Sequence, residues 1–265
     1  MENDNIITKN KEEWNENAET MSHPGTIPWL NLNMEVLHKL TETENPMLSK
    51  IRKLIYGNLK GKKVLCLASG GGQQSAVFSL LGADVTVADI SQSQLNGDIK
   101  AAKHYGYEIK TFLCSMTDLS VFEAELFDIV LQPVSICYVP DVMPVYKEVY
   151  RVLKQGGIYS ISHVNPTTYP AYFDNDIDGW DGIGYRIATP YIGGAIRIDK
   201  NGHENMTDGE KTGEFRHLFI DMFCNLTEAG FNIKYIFEDN ITLTDRELEP
   251  ESPIIQGYID VLSMK

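Results

Sequence analysis

The residues of this chain best suited to chemistry lie in a run of small and apolar side chains. Val64-Leu65-Cys66-Leu67-Ala68-Ser69-Gly70-Gly71-Gly72 is followed, one apolar run later, by Asp89. The pattern predicts strand, glycine turn, helix, strand, acid. Such a unit holds an adenosine: glycines let the backbone approach a ligand with no Cβ in the way, and the acid accepts hydrogen bonds from the ribose hydroxyls. Gly70 and Gly72 are the close-approach positions, and Asp89 is the ribose ligand. Asp89 could instead cap the next helix, but Ser91 is available for that role. A second stretch, Asp174-Asn175-Asp176-Ile177-Asp178-Gly179, copies the first half of a calcium loop. Its twelfth position should be a bidentate Glu and is Tyr185. The stretch therefore reads as a solvated acidic loop or as acids placed over a pocket for a cationic substrate, and no metal site is expected.

The elements that must position these residues alternate. Strands are expected at about 62–68, 84–90, 108–115, 127–134 and 158–164. Helices are expected at 72–81, 92–105 (ended by Gly106) and 141–153. This order predicts a parallel sheet with helices on both faces and ligands at the carboxyl ends of the strands. The alternation stops at Asn165-Pro166. About fifty residues rich in Gly, Tyr, Asp and Pro follow, too long and too aromatic for a passive loop. A helix at 214–229 and strands at 231–238 and 254–262 close the chain. The expected organisation is an N-terminal helical cap (1–60), a nucleotide-binding core (61–165), an inserted substrate cap (166–213) and the C-terminal part of the core (214–265).

With 265 residues the chain can bury a sizeable core, and its formal charge of −14 disfavours a phosphate backbone as substrate. No nucleic acid is expected. Cys66, Cys114, Cys137 and Cys224 are scattered with no CxxC pair, so buried reduced thiols are expected. No apolar run approaches the roughly 20 residues of a membrane span. The first residues lack the basic and apolar regions of a signal peptide. The expectation is a cytoplasmic protein without a membrane partner, as a monomer or homodimer.

By the fifth strand the chain resembles the class I S-adenosylmethionine-dependent methyltransferases, small-molecule branch. The resemblance rests on residues 64–72 and on Val85-Thr86-Val87-Ala88-Asp89-Ile90-Ser91. It continues through Cys114-Ser115-Met116-Thr117-Asp118-Leu119, Phe127-Asp128-Ile129-Val130-Leu131-Gln132, Tyr150 to Gly157 and Leu226 to Phe231. Each segment alone is weak; their order and spacing make the signal specific. It implies a seven-stranded doubly wound Rossmann-like α/β sheet with the last strand antiparallel, and S-adenosyl-L-methionine as cofactor. Two departures stand out. Cys66 occupies a position where the family usually has an acid that contacts the glycine loop, and Ala68-Ser69 replace Gly-Cys.

The resemblance also assigns candidate residues. Ala68, Ser69, Gly70, Gly72, Gln73, Gln74, Asp89, Ile90, Met116, Thr117, Gln132 and Tyr138 border the cofactor. Met116 and Thr117 flank the adenine, and Asp118 is available to its exocyclic amine or to a turn. Gln132 points toward the methionine end. Gln73 or Gln74 can bond the carboxylate, and Tyr138 walls the sulfonium, which needs an electron-rich, water-poor setting. His163 ends the fifth strand toward the acceptor region and is the candidate base, ahead of His23 and His217. Trp14, Trp29, Tyr169, Tyr185 and His217 are candidate acceptor contacts, with residues 1–35 and 166–213 closing over the acceptor. The expected reaction is O- or N-methylation of a small molecule, a specialised metabolite or short peptide. Two other readings stay open. One is a nicotinamide-dependent Rossmann oxidoreductase, since Gly70 to Ser75 nearly fits G-x-G-x-x-G. The other is a non-catalytic relative that binds the cofactor.

Overall fold

A computed structural model describes residues 2–41, 43, 45–167, 193, 213–238 and 258–265. These residues build a seven-stranded sheet: β1 (Lys63–Leu67), β2 (Asp84–Asp89), β3 (Lys110–Leu113), β4 (Phe127–Gln132), β5 (Leu153–Val164), β6 (Asn232–Phe237) and β7 (Tyr258–Met264). Their order across the sheet is β3-β2-β1-β4-β5-β7-β6. The first five pair in parallel, and β7 runs antiparallel between β5 and β6. Strand order reverses at β1, which lies between β2 and β4. A crevice opens at the carboxyl ends of strands at such a point, and the glycine turn leaves β1 there.

Both faces of the sheet are covered, so β1 is apolar from Val64 to Leu67 rather than alternating with polar residues. Its side chains still divide by parity. Leu65 and Leu67 pack with Val130, Tyr159 and Ile161 under helix α6 (Met143–Val152). Val64 and Cys66 pack with Val85, Val87, Phe78 and Leu95, reached from α3 (Pro46–Tyr56), α4 (Gln74–Leu80) and α5 (Gln92–Tyr105). α6 buries Val145, Tyr146, Val149 and Val152, a spacing that keeps them on one face. α5 starts at Ser91, whose Oγ accepts from Gln94 N at 3.1 Å, and ends at Gly106 with φ +77°. Both caps are those the sequence predicts.

Other expectations need correction. The polar N-terminus forms one long helix, α1 (Glu2–Thr20), followed by a 3₁₀ turn at Pro24–Thr26 and the short α2 (Met34–Lys39). The helix expected from residue 214 begins later. Phe215 N instead donates to Cys137 O at 2.6 Å, and a π-helical turn, Ile220–Cys224, leads into α7 (Asn225–Glu228). That early stretch is drawn into tertiary pairing, which overrides helix propensity. Cys66 and Cys137 are buried, but Cys224 is exposed. Most of the expected insert, including Asp174–Gly179, Tyr169 and Tyr185, lies outside the described residues.

Leu65 has no exposed surface at the centre of the sheet. Leu65→Ala should lower unfolding free energy by about 2–5 kcal/mol, read by urea denaturation. A loss below about 1 kcal/mol would contradict this packing.

Candidate active site

The turn after β1 owes its shape to two buried carboxylates. Ala68 adopts φ +46°, a left-handed conformation that costs a Cβ-bearing residue about 1–2 kcal/mol. Gly71 and Gly72 follow with φ +117° and +80°. Gly70 N donates to Asp89 Oδ2 at 2.9 Å, Gly71 N to Asp98 Oδ2 at 3.1 Å, and Gly72 N to Asp98 Oδ1 at 3.1 Å. The Ser75 hydroxyl also donates to Asp98 Oδ1. Asp98 lies on α5 and has no exposed surface. The sequence reading missed it, because a polar residue inside a helix carries no local sign of a distant partner. The missing acid at Cys66 is thus met by an acid on another element. Burial of Cys66 and the charge of Asp98 both push the Cys66 thiol upward, so it stays protonated.

The glycines are required by closeness as well as by φ. A Cβ on Gly70 would stand 2.6 Å from Gln94 Cβ and 3.1 Å from Asp89 Oδ2. A Cβ on Gly72 would stand 2.5 Å from Gly97 O, within α5. Gly97, costly by about 1 kcal/mol inside a helix, is there because the turn rests on it. Ser91 N bonds the other Asp89 oxygen, Oδ1, at 2.9 Å. Burial drives the Asp89 carboxyl upward, against hydrogen bonds from Ser91, Gly70 and Ile90 that favour the ionised form.

The N-terminal segment sits against this turn. Trp29 N donates to Gly72 O at 3.3 Å, and Gln73 Nε2 donates to Pro24 O at 2.7 Å and Ile27 O at 3.0 Å. Asn15 Oδ1 accepts from Ser91 Oγ at 2.8 Å and from Ser93 N at 3.1 Å, tying α1 to the start of α5. Trp14 meets both His23 and Tyr138 edge to face, with ring centroids at 5.1 and 5.7 Å. Gln73 Nε2 is thus committed to the N-terminal segment. Gln74 is half-buried in the first turn of α4, and Ile90 is half-buried beyond Asp89.

Around the ends of β3 and β4 the remaining candidates divide. Thr117 Oγ1 and Ser115 Oγ share a hydrogen bond at 2.7 Å. Asp118 Oδ1 caps a turn by accepting from Ser120 N at 3.0 Å. That turn is held by Arg151, which donates to Phe122 O and Leu119 O, each at 2.8 Å, and pairs with Glu148. Gln132 is fully buried: its Nε2 faces Met116 Sδ at 3.3 Å and Ser135 Oγ at 3.2 Å, and its Oε1 accepts from Tyr159 OH. Both ends of the amide are spent inside the protein, and Gln132 supports Met116. Trp29 is exposed, with its carbonyl bonded to Tyr105 OH at 2.9 Å, and is not gathered with Trp14 and Tyr138.

His163 corrects the expected base. It has no exposed surface, its Nε2 faces Tyr146 OH at 3.5 Å, and its Nδ1 has no hydrogen-bond partner among the described residues. Burial, helped by nearby His217, pushes its pKa down to about 3. Such an imidazole binds a proton too weakly to serve as a base near neutral pH. His217 is also buried, with Nε2 at 3.2 Å from Ile136 O. It lines a cavity of about 330 Å³ together with Asp141, Asp221 and Asn225.

Comparison with known proteins agrees with this geometry. Residues 65–161 match a family described as methyltransferase domain. The chain is 40% identical over 181 residues to the uncharacterized methyltransferase YbaJ of Bacillus subtilis, covering 68% of this chain and 70% of that protein. It is 32% identical over 114 residues to a ubiquinone biosynthesis O-methyltransferase of Pseudomonas syringae, a match spanning 42% of this chain and about half (49%) of that relative. An S-adenosylmethionine-dependent methyltransferase structure from Mesorhizobium loti superposes with TM-score 0.66 at 18% identity, over 82% of this chain and 97% of that one. One from Clostridium acetobutylicum gives 0.60 at 16%, over 88% and 92%.

The chain belongs to the class I S-adenosylmethionine-dependent methyltransferases. It is an enzyme, and S-adenosyl-L-methionine is its cofactor. The residues present fit that group. Ser69 Oγ and Gln94 Oε1 are buried beside the glycine turn without hydrogen-bond partners among the described residues, and the turn has no room for a Cβ at Gly70. No helix among the described residues is long and apolar enough to cross a membrane.

His163 generates a prediction with a definite sign. Its folded pKa of about 3 lies below the ordinary 6.5, so the unfolded chain takes up the proton first. The stability this confers is present above about pH 6.5 and is lost as pH falls toward 3, at about 1.4 kcal/mol per pH unit. His163→Gln should flatten that part of the acid-unfolding profile. An unchanged slope between pH 6 and 4 in a folded variant would defeat the assignment.

Proposed function

We propose that the enzyme transfers the methyl group to an oxygen or nitrogen of a small molecule, a specialised metabolite or short peptide. The observation that carries this reading is the position of the N-terminal segment. Trp14 stands against Tyr138, and residues 24–29 are bonded to the glycine turn, so the strand ends are roofed, as a small acceptor needs and a polymer does not. The formal charge of −14 works in the same direction against nucleic acid. The likeness over 114 residues to a ubiquinone biosynthesis O-methyltransferase supports an oxygen acceptor.

Asp89 would hold the ribose, Met116 and Thr117 would border the adenine, and Gly70 to Gly72 would lie against the amino-acid end. Tyr138 would wall the sulfonium with its ring face or edge. The bound cofactor supplies an activated methyl group on that sulfonium. The protein's own part is to align an acceptor and to exclude water, which can supply much of the rate. His23 Nδ1 accepts from Gly25 N at 3.0 Å, so the neutral ring carries its proton on Nε2 and presents a donor. With His163 buried as well, neither imidazole is set as a base.

Two measurements test the reading. Asp89→Ala should weaken S-adenosylhomocysteine binding by about 1.5–3 kcal/mol in calorimetry; unchanged affinity in a folded variant would remove Asp89 from the site. Release of S-adenosylhomocysteine should be stimulated by members of a panel of small phenols, carboxylates and amines. Stimulation by RNA or folded protein alone would overturn the small-acceptor reading.

A further inference from the structure

Three successive amides of the turn, those of Gly70, Gly71 and Gly72, are bonded to protein carboxylates. They are therefore not free to bind the carboxylate of a ligand, which is what a glycine turn before a helix otherwise invites. The turn works as a shaped floor, and its shape depends on what holds it from below. Asp89 reaches one amide and also serves the ribose side. Asp98 reaches two amides and the Ser75 hydroxyl, with no exposed surface and no cation bonded to it among the described residues.

We propose that Asp98 is a positioning residue for methyl-donor binding. From α5, through the amides of Gly71 and Gly72, its carboxylate fixes the turn on which the donor's amino-acid end rests. The contact is specific to a carboxylate. Each partner of Asp98 donates, and an ionised carboxylate only accepts. An amide in its place would aim an NH₂ group at a backbone N–H. Gly97, adjacent on α5, shows how tightly the two pieces fit: a Cβ there would stand 2.9 Å from Gly71 O.

The same geometry gives the site a dependence on pH. Burial drives the Asp98 carboxyl up to about 7, opposed by the hydrogen bonds from Ser75 and Gly71. The titratable groups around it are Asp89 at the end of β2, Cys66 on β1 and Tyr107 beyond α5. Burial and neighbouring charge push the Cys66 thiol and the Tyr107 phenol upward, so neither ionises near neutral pH. When Asp98 takes a proton it must find an acceptor, whereas Gly71 N, Gly72 N and the Ser75 hydroxyl all donate to its ionised form. The protonated form therefore gives up part of its hold on the turn. Donor affinity should fall as pH drops through about 7.

The proposal rests on the glycine turn being the donor's seat, so the experiment carries a control for that. S-adenosylhomocysteine binding is measured by calorimetry from pH 5.5 to 8.5 for the native chain, Asp98→Asn, Ser75→Ala and Asp89→Ala. Asp98→Asn, folded by circular dichroism, should bind at least tenfold more weakly at pH 8 and lose the inflection near pH 7. If Asp98→Asn does not fold, Ser75→Ala decides. Removing one donor to the carboxylate should raise its proton affinity and move the inflection to higher pH, which a purely structural hydroxyl would not do. Native affinity and an unchanged pH profile in folded Asp98→Asn, or an unmoved inflection in Ser75→Ala, would overturn the proposal. If Asp89→Ala alone weakens binding, the donor site stands and Asp98 has no part in it. If neither aspartate matters, the donor lies elsewhere.

Discussion

The rest of the site depends on a turn of unfavourable backbone conformation held by buried negative charge. Ala68, Gly71 and Gly72 all have φ in the left-handed region, and the amides that follow would be orphaned at the start of a helix. Asp89 and Asp98 take those amides from β2 and α5. Burying two carboxylates close together is costly, and both are pushed toward their protonated forms. The cost is met by hydrogen bonds from backbone groups that would otherwise be unsatisfied. Functional sites commonly store strain of this kind.

Once the turn is fixed, its carbonyls and its flanking glutamine organise the N-terminal segment. Gly72 O accepts from Trp29 N, and Gln73 Nε2 reaches two carbonyls of residues 24–27. α1 then lies along α5, fastened by Asn15 to Ser91 and Ser93. The polar composition of α1 fits this role, since it contributes side-chain hydrogen bonds and Trp14 more than core volume. A change in the turn would reach the N-terminal segment through these contacts, without passing through the sheet.

The sheet's second contribution is a polar network sealed under the strand ends. Tyr159, Gln132, Ser135 and Met116 form one connected group, and Tyr146 and His163 lie beside it. Tyr146, Tyr159 and His163 are each buried to the point of having no exposed surface. Burial pushes both phenols far up and the imidazole down, so all three are neutral at physiological pH. The group serves as packing with its hydrogen bonds internally met, apart from His163 Nδ1. It supports Met116 and leaves acid–base chemistry to other groups.

The sequence by itself determined the sheet, the glycine turn, the cap of α5 and the closing antiparallel strand. Those features follow from local pattern: apolar runs of strand length, glycines where φ is positive, Ser91 and Gly106 at the ends of one helix. It also located the family, because the segments from residue 64 to 157 keep their order and spacing. Tertiary structure alone decided which of the candidate side chains are spent inside the protein. His163 and Gln132 sit at strand ends as expected, yet both are turned into the protein, because direction there depends on what α6 and the neighbouring loops place over the sheet. The stretch after residue 213, read as helix, pairs instead with Cys137 across the molecule. Asp98 shows the reason most plainly. Its charge does the work expected of an acid at residue 66, from a helix 32 positions later in the chain, and only folding brings α5 against the turn where that charge can act.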